Sequence, residues 1–253
     1  MTSPAFALSF DLAAATKHLA ATDERLARLI EETLPFQMDQ DPIQSPYEAL
    51  LEAIAYQSIS GKAAATIFGR VKALSSTGRA PTPQEMLKLR KSALRKAGLS
   101  GAKVLAMKDL AKKTIEGIVP TLEQAEKLSD EELVERLVSV RGIGAWTVEM
   151  FLIFRLGRPD VLPIHDLGVQ KGWSVTYGKK YMPKPKELLA FGERWRPYRT
   201  IASWYMWRAC QLAGNAALRK IRPAPTKRRR GPAKLRRKRP NLKPAKASPS
   251  GRK

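Results

Sequence analysis

The feature that most constrains the fold is the stretch from Leu137 to Asp166, LVSVRGIGAWTVEMFLIFRLGRPDVLPIHD. In it, a Gly-Ile-Gly turn joins two apolar segments with helical spacing, and a Gly/Pro loop then ends in a lone carboxylate. Glycine tolerates positive φ and lacks a Cβ, so two helices can turn sharply here and their freed amides can point at one anion. A DNA phosphate suits such a site, although a plain helical hairpin with glycine as its C-cap also fits the spacing.

Helical spacing of apolar residues extends over most of the chain. Leu26, Ile30 and Leu34 recur at that spacing before Pro35, and Ser129 to Glu132 has the pattern of a capping box. Alternation with period two, which would indicate strands, is nearly absent. The sequence therefore predicts an all-α fold of about ten helices with short Gly/Pro loops, forming a helical body over residues 1–221.

Some local boundaries follow from the same pattern. Residues 1–20 are weakly patterned, and we expect a short strand or an extended arm there. We expect one helix over Lys88–Ala97 and one over Ile201–Leu218. A further short helix is expected to begin near Asp166 and to end at Gly172.

Positive charge is concentrated at the C-terminus. The chain has a formal net charge of +23, and Arg219–Lys253 holds 16 Lys/Arg and no Asp/Glu, which leaves +7 on the remainder. Such a balance favours a polyanionic partner, because each neutralised phosphate releases counterions. The Pro/Lys/Arg-rich composition predicts a disordered tail over residues 222–253. That tail fits a DNA contact, a nuclear localisation signal or a purely solubilising segment.

The composition also excludes several classes of protein. A single cysteine, Cys210, rules out an intramolecular disulfide, a zinc finger and a four-cysteine iron–sulfur cluster. The N-terminus lacks the early positive charge of a signal peptide, and no segment is apolar for long enough to span a membrane. We therefore expect no membrane partner and an intracellular location: cytoplasm or nucleoid in a bacterium, nucleus in a eukaryote.

The segments VRGIGAWTVEMFLIF and DVLPIHDLGVQKG resemble the helix-hairpin-helix/Gly-Pro-Asp superfamily of base-excision DNA glycosylases. Within it, the chain is most similar to the 3-methyladenine DNA glycosylase II branch. Three further segments carry the likeness, which covers roughly residues 41–218: EAIAYQSISGKAAATIFGRV, LRKAGLSGAKV and ERWRPYRTIASWYMWR. The resemblance implies a two-lobed helical fold with the helix-hairpin-helix at about 133–156, and a monomer that acts on double-stranded DNA containing an alkylated base.

Asp166 matches the catalytic aspartate of this superfamily. An N-alkylated purine is already cationic, so its departure needs little help from an acid, and what remains is an oxocarbenium-like sugar. A carboxylate can stabilise that charge and orient the attacking water. A simple N-cap aspartate is the alternative, and the two roles are compatible.

Trp146 occupies the position at which strand-cutting members of the superfamily have a lysine nucleophile. The resemblance therefore implies a monofunctional enzyme that leaves an intact abasic site.

A flipped, cationic base would favour a pocket of electron-rich rings. The candidates for its walls are Trp146, Trp207, Met150, Tyr56 and Phe36, where Met150 stands in place of a tyrosine of the inducible bacterial enzyme. Three other aromatic residues, Trp195, Tyr198 and Trp204, are expected to pack in the core.

Two further sets of residues are expected to contact the DNA. The candidates at the backbone are Gly142, Ile143, Gly144, Thr147 and Lys62. The candidates for the residue that fills the space of the flipped base are Ile59 and Ser60, in the loop between two helices.

No cofactor is expected, and no metal site formed by side chains. The resemblance implies that a monovalent cation can be held by backbone carbonyls of the hairpin, near Val138, Val140 and Ile143.

These residues predict a DNA glycosylase that flips alkylated purines of the 3-methyladenine and 7-methylguanine type and excises them by hydrolysis. Two alternatives stay open. One is a DNA-binding protein that kept the hairpin and lost the chemistry. The other is a glycosylase for deaminated or oxidised bases.

Overall fold

The computed structural model describes residues 10–33, 35–37 and 45–224. Of the predicted tail over residues 222–253, the part from residue 225 onward lies outside the described residues. The described part forms fourteen α-helices and a short 3-10 helix, Glu193–Trp195. The first seven helices are α1 Leu12–Thr22, α2 Glu24–Glu32, α3 Pro46–Tyr56, α4 Gly61–Lys72, α5 Pro83–Lys88, α6 Lys91–Lys96 and α7 Gly101–Ile115. The others are α8 Leu122–Lys127, α9 Asp130–Val138, α10 Ala145–Phe154, α11 Leu167–Thr176, α12 Pro185–Gly192, α13 Arg199–Leu212 and α14 Gly214–Leu218.

Side-chain caps fix where several of these helices begin. The Asp11 carboxylate accepts from the amides of Ala13 (2.8 Å) and Ala14, and so starts α1. The expectation of a strand or extended arm in residues 1–20 is therefore wrong for the described residues 10–20. The predicted capping box at Ser129 and Glu132 is present and begins α9.

Tertiary contacts move two other predicted boundaries. Helix α11 continues through Gly172 to Thr176, because this glycine serves a close helix crossing: a Cβ there would lie 1.8 Å from the carbonyl oxygen of Met206 on α13. The single helix expected over Lys88–Ala97 is interrupted, and Lys108 of α7 binds the carbonyls exposed at the break, including that of Leu89 (2.5 Å).

The helix expected over Ile201–Leu218 ends at Leu212. Gly214, with φ +67°, then separates α13 from α14.

The buried apolar side chains form two clusters. The first is built from α3 to α10 and the loop that follows, between Tyr47 and Val161. The second joins α1 and α2 to the C-terminal helices α11 to α13. The predicted two-lobed, all-α fold is therefore confirmed, and the chain passes between the lobes at the loop after α10.

That loop is tied to both lobes. The Arg158 guanidinium donates to the carbonyls of Ala125 and Leu128, each at 2.9 Å, in the first lobe. Two residues later, the Asp160 carboxylate accepts from Arg199 Nε at 2.8 Å in the second lobe. These contacts fix the segment that leads to Asp166.

Backbone hydrogen bonds hold the C-terminal end of the described chain against the segment that precedes α12. The Met182 amide donates to the Arg222 carbonyl, and the Arg222 amide donates to the Lys180 carbonyl, both at 2.9 Å. Within the described residues, no helix combines the length and apolar character needed to cross a bilayer.

Candidate active site

Asp166 stands at the junction of the two lobes. It is the N-cap of α11, and its Oδ1 accepts from the Val169 amide at 2.9 Å. The N-cap contact that the sequence allowed is therefore present. It holds the carboxylate against the positive end of the helix.

Two tryptophan side chains bind the same carboxylate. Trp146 Nε1, from α10 of the first lobe, donates to Oδ2 at 2.8 Å. Trp207 Nε1, from α13 of the second lobe, donates to Oδ1 at 2.8 Å. Hydrogen bonds from N–H groups to an ionised oxygen are stronger than neutral ones, so the three donors stabilise the negative charge and fix the plane of the carboxylate.

Gly168 gives Trp207 the space to reach Asp166. A Cβ at this position would lie 2.7 Å from Trp207 Cδ1 and 3.1 Å from Asp166 Oδ1. On its other side, the Trp207 indole stacks on Phe154, with ring centroids 5.6 Å apart and planes 22° apart. The indole is thus clamped between two helices.

A cleft of about 820 Å³ lies between α3 and α10; Asp166 is not among its wall residues and is connected to it through Trp146. Trp146 belongs to its wall and is 46% exposed. The wall residues are Ala49, Leu50, Glu52, Ala53, Tyr56, Gln57 and Ser58 from α3 and the loop after it, and Gly142, Trp146, Thr147, Met150, Phe151, Phe154 and Arg155 from the hairpin and α10. Three of the five residues expected at a base pocket, Trp146, Met150 and Tyr56, therefore line one cleft.

The other two expected pocket residues lie elsewhere. Phe36 is only 5% exposed and packs on Trp204, with ring centroids 5.2 Å apart, in the core of the second lobe. A ring buried in this way cannot contact a base in the cleft, so its assignment to the pocket is corrected. Trp207 stands behind the cleft, between Phe154 and Asp166.

The aromatic residues expected in the core pack there. Trp195 is fully buried, and Tyr198 and Trp204 pack against the apolar cluster of the second lobe.

The Gly-Ile-Gly turn leaves the start of α10 without a side-chain cap. Gly142 adopts φ +77°, which favours glycine, and the Ala106 side chain would lie 3.3 Å from a Cβ added there. Gly144 is the N-cap of α10, no side chain caps this helix, and nothing lies within 4 Å of an added Cβ at Gly144. An anion can therefore approach these first-turn amides closely.

The remaining backbone candidates differ in access. Ile143 and Thr147 have buried side chains, and their amides already donate to Val140 and Gly144. Lys62 is exposed in the first turn of α4.

The loop before α4 carries an exposed apolar residue. Ile59 is 40% exposed, and it follows Ser58, whose φ of +59° is unusual for a residue with a side chain. The Ser60 hydroxyl caps α4 by accepting from the Ala63 amide.

Gln57 joins the loop before α4 to the hairpin. Its Nε2 donates to the Gly142 carbonyl at 3.0 Å, across 85 positions of sequence. No pattern in the sequence indicated this contact.

A lysine side chain of the protein already binds a carbonyl at the hairpin. The Lys113 ammonium donates to the Ser139 carbonyl and pairs with Asp109 at 3.2 Å, and Asp109 in turn accepts from the Arg141 amide at 2.7 Å. The Val140 carbonyl, one of the expected cation ligands, accepts from the Ile143 amide. Carbonyl oxygens are ligands that a monovalent cation can use, and the bound ion stays a prediction. Among the described residues, no group of three or more His, Cys, Asp and Glu could hold a metal.

Glu149 is a second acid near Asp166 that sequence reasoning missed. Its Oε2 is buried and has no hydrogen-bond partner among the described residues. Burial, with a smaller contribution from the charge of Asp166, raises the pKa of Glu149 to about 7. The only signal in the sequence is a lone acid within the apolar run AWTVEMFLIF.

Comparisons with known proteins agree with this geometry. Residues 51–197 match the model of the HhH-GPD superfamily of base excision DNA repair proteins. The chain is 40% identical over 197 residues to DNA-3-methyladenine glycosylase 1 of Schizosaccharomyces pombe. The aligned region covers 78% of this chain and 86% of that protein.

Two solved structures share the fold. The Schizosaccharomyces pombe 3-methyladenine DNA glycosylase in complex with abasic DNA superposes with a TM-score of 0.71 at 40% identity, covering 79% of this chain and 98% of that one. A DNA-3-methyladenine glycosidase from Bacillus halodurans superposes with a TM-score of 0.72 at 33% identity, and the match covers 81% of this chain and 94% of that one.

Proposed function

Because the chain belongs to the HhH-GPD superfamily of base excision DNA repair proteins, we propose that it is a monofunctional glycosylase that hydrolyses alkylated purines from duplex DNA. The observation that carries this proposal is the Asp166 carboxylate, held by Trp146 and Trp207 beside an aromatic cleft. The names of the relatives, 3-methyladenine DNA glycosylases, support the same substrate class.

The cleft accommodates the flipped base. Trp146 and Tyr56 present aromatic faces, and Met150 and Phe154 add polarizable and apolar surface. A ring face attracts a cationic N-alkylpurine more than a neutral base, by ~1–2 kcal/mol. The damaged base is thereby favoured before any bond breaks.

Asp166 acts on the sugar. When the N-glycosidic bond breaks, its electron pair leaves with the cationic purine, which departs as a neutral base, and C1′ of the sugar becomes electron-poor. The carboxylate stabilises this oxocarbenium-like centre. Among the described contacts, Oδ1 accepts two hydrogen bonds and Oδ2 only one, so Oδ2 is the oxygen free to orient the water that adds to C1′. The water proton passes to the carboxylate or to solvent.

The hairpin and the loop before α4 position the DNA. The amides of Gly144 and its helix bind a backbone phosphate, which carries no sequence information. Ile59 fills the space that the flipped base leaves, because it is exposed and apolar whereas the Ser60 hydroxyl is used in capping. We expect the protein to act as a monomer.

The absence of strand cleavage follows from Trp146. An indole nitrogen has no basic lone pair to attack a sugar, and this one donates to Asp166. We predict that the product is an intact abasic site and that borohydride traps no covalent protein–DNA adduct. A trapped adduct would contradict the monofunctional mechanism.

A release assay separates the proposal from its alternatives. Methylated DNA and DNA containing hypoxanthine are incubated with the protein, and the free bases are separated and quantified. We expect release of 3-methyladenine and 7-methylguanine. Binding without release of any base would favour a non-catalytic DNA-binding protein, and release of hypoxanthine alone would favour a glycosylase for deaminated bases.

A further inference from the structure

The base cleft contains a charged pair that the proposed mechanism does not use. Arg155 Nη2 donates to Glu52 Oε2 at 2.9 Å, and both residues belong to the wall of the cleft. Their side chains are 21% and 33% exposed, respectively, so the pair is partly shielded from water. Most of the remaining wall is apolar or aromatic.

The position of Glu52 places it within reach of a bound purine. Glu52 lies one turn before Tyr56 on α3, and a helical turn of four residues corresponds to ~6 Å. Arg155 follows Phe154 at the end of α10, whereas Trp146, which binds Asp166, lies in its first turn. The reacting sugar and the charged pair therefore belong to opposite ends of one cleft, and the base lies between them.

The chemistry of the Glu52 carboxylate selects a class of base. Arg155 pairs with one of its oxygens, and Oε1 has no hydrogen-bond partner among the described residues. An ionised carboxylate only accepts hydrogen bonds. The exocyclic amino groups of adenine and guanine are donors, and in an N-alkylated purine the ring system that bears them is positively charged. A carboxylate at this end thus attracts the charged lesion and accepts from its amino group.

We propose that Glu52 is a specificity-determining residue that accepts a hydrogen bond from the exocyclic amino group of a cationic N-alkylpurine, with Arg155 holding it in place. This inference rests on the proposed function and adds to it a polar contact at the far end of the base cleft. Aromatic faces recognise the charge of the ring, and Glu52 recognises its amino edge.

The test compares Glu52→Gln with a matched control, Glu48→Gln. Glu48 lies one turn earlier on α3 and lines a neighbouring cavity of about 360 Å³, which shares Glu52 and Arg155 with the base cleft, but Glu48 itself is not part of the base-cleft wall. Single-turnover release of 3-methyladenine and 7-methylguanine is measured together with affinity for abasic DNA and the melting temperature. We expect Glu52→Gln to slow release by about tenfold. The affinity for abasic DNA, which lacks the base, and the melting temperature should not change, and Glu48→Gln should match the wild type.

A second variant, Glu52→Asp, keeps the negative charge and should retain most of the activity. Unchanged release in Glu52→Gln would overturn the inference. So would an equal loss in Glu52→Asp, or a parallel loss of affinity for abasic DNA, because each indicates a structural role. If the wild type releases neither methylpurine, the proposed function itself fails, which this design distinguishes from a failure of Glu52 alone.

Discussion

At the scale of single residues, Asp166 combines a structural and a proposed chemical role. Its carboxylate caps α11 and receives two indole N–H groups. The motif pointed to Asp166 and Trp146, because both lie in one continuous stretch of sequence. It did not indicate that either indole binds the carboxylate, since these partners lie 20 and 41 positions away.

The hydrogen bond from Trp207 can be tested while the ring is kept. Trp207→Phe removes the N–H donor and retains an aromatic surface for Phe154. Hydrogen bonds to charged groups contribute about 1.5–3 kcal/mol, so we expect base release to slow by about 10- to 100-fold. Trp204→Phe, on the same helix but without contact to Asp166, is the control. Equal effects of the two substitutions would show that the indole N–H has no special role.

Gly168 provides a second test of the same arrangement. In Gly168→Ala the new Cβ would lie 2.7 Å from Trp207, so the indole must move away from Asp166. We expect at least a tenfold slower single-turnover release with nearly unchanged affinity for DNA. Gly69→Ala is the matched control, because this helical glycine has nothing within 4 Å of an added Cβ. Normal release by Gly168→Ala would contradict the assigned position of Trp207.

At the scale of elements, periodicity predicted most of the helical segments, although not α1, and it did not predict where each one ends. Gly172 was expected to stop α11, whereas it allows α13 to cross closely. The break after Lys88 is stabilised by Lys108 from a distant helix. In both places a tertiary contact decides the outcome, and local propensity carries no information about it.

Helix α10 makes a prediction about pH through Glu149. The pKa rises from 4.5 to about 7 in the folded protein, so folding favours the protonated acid. The contribution of protonated Glu149 to the free energy of unfolding is fully present below about pH 4.5 and is lost as the pH rises through 7. Glutamine stays neutral at both pH values. The free energy of unfolding of Glu149→Gln, relative to that of the wild type, should therefore be larger at pH 8.5 than at pH 5 by on the order of 1 kcal/mol, after allowance for solvent screening.

Urea unfolding at the two pH values measures this difference. Glu131→Gln, an exposed acid on α9, gives the baseline for removal of one negative charge. If the difference between Glu149→Gln and wild type is the same at both pH values, Glu149 does not titrate in this window.

At the scale of the whole molecule, the second lobe joins helices from both ends of the described chain. Helices α1 and α2 pack with α11 to α13, and the first lobe is formed by the residues between them. Amphipathic spacing predicts that each helix buries a face, but not against which partner. The two-lobed arrangement was expected only through the family resemblance, and the site lies where the lobes meet.

The basic tail affects the molecule through long-range electrostatics. Residues 225–253 carry 13 Lys/Arg and no Asp/Glu. Truncation after Ala224 keeps the backbone pairing of Arg222 with Lys180 and Met182. Compared with the full chain, we expect the truncated protein to bind undamaged duplex DNA more weakly. The logarithm of its binding constant should depend less steeply on the logarithm of the salt concentration, and its single-turnover release should change little. An unchanged salt slope would show that the tail does not contact DNA.

The proposed role of Asp166 is tested most directly by the single-turnover release of 3-methyladenine by Asp166→Asn, measured together with affinity for abasic duplex DNA. Asparagine keeps the size of the side chain and removes the negative charge that stabilises the electron-poor sugar. We predict that release becomes undetectable while affinity stays within a few-fold of wild type. Release at a rate near that of the wild type would show that another group performs the reaction.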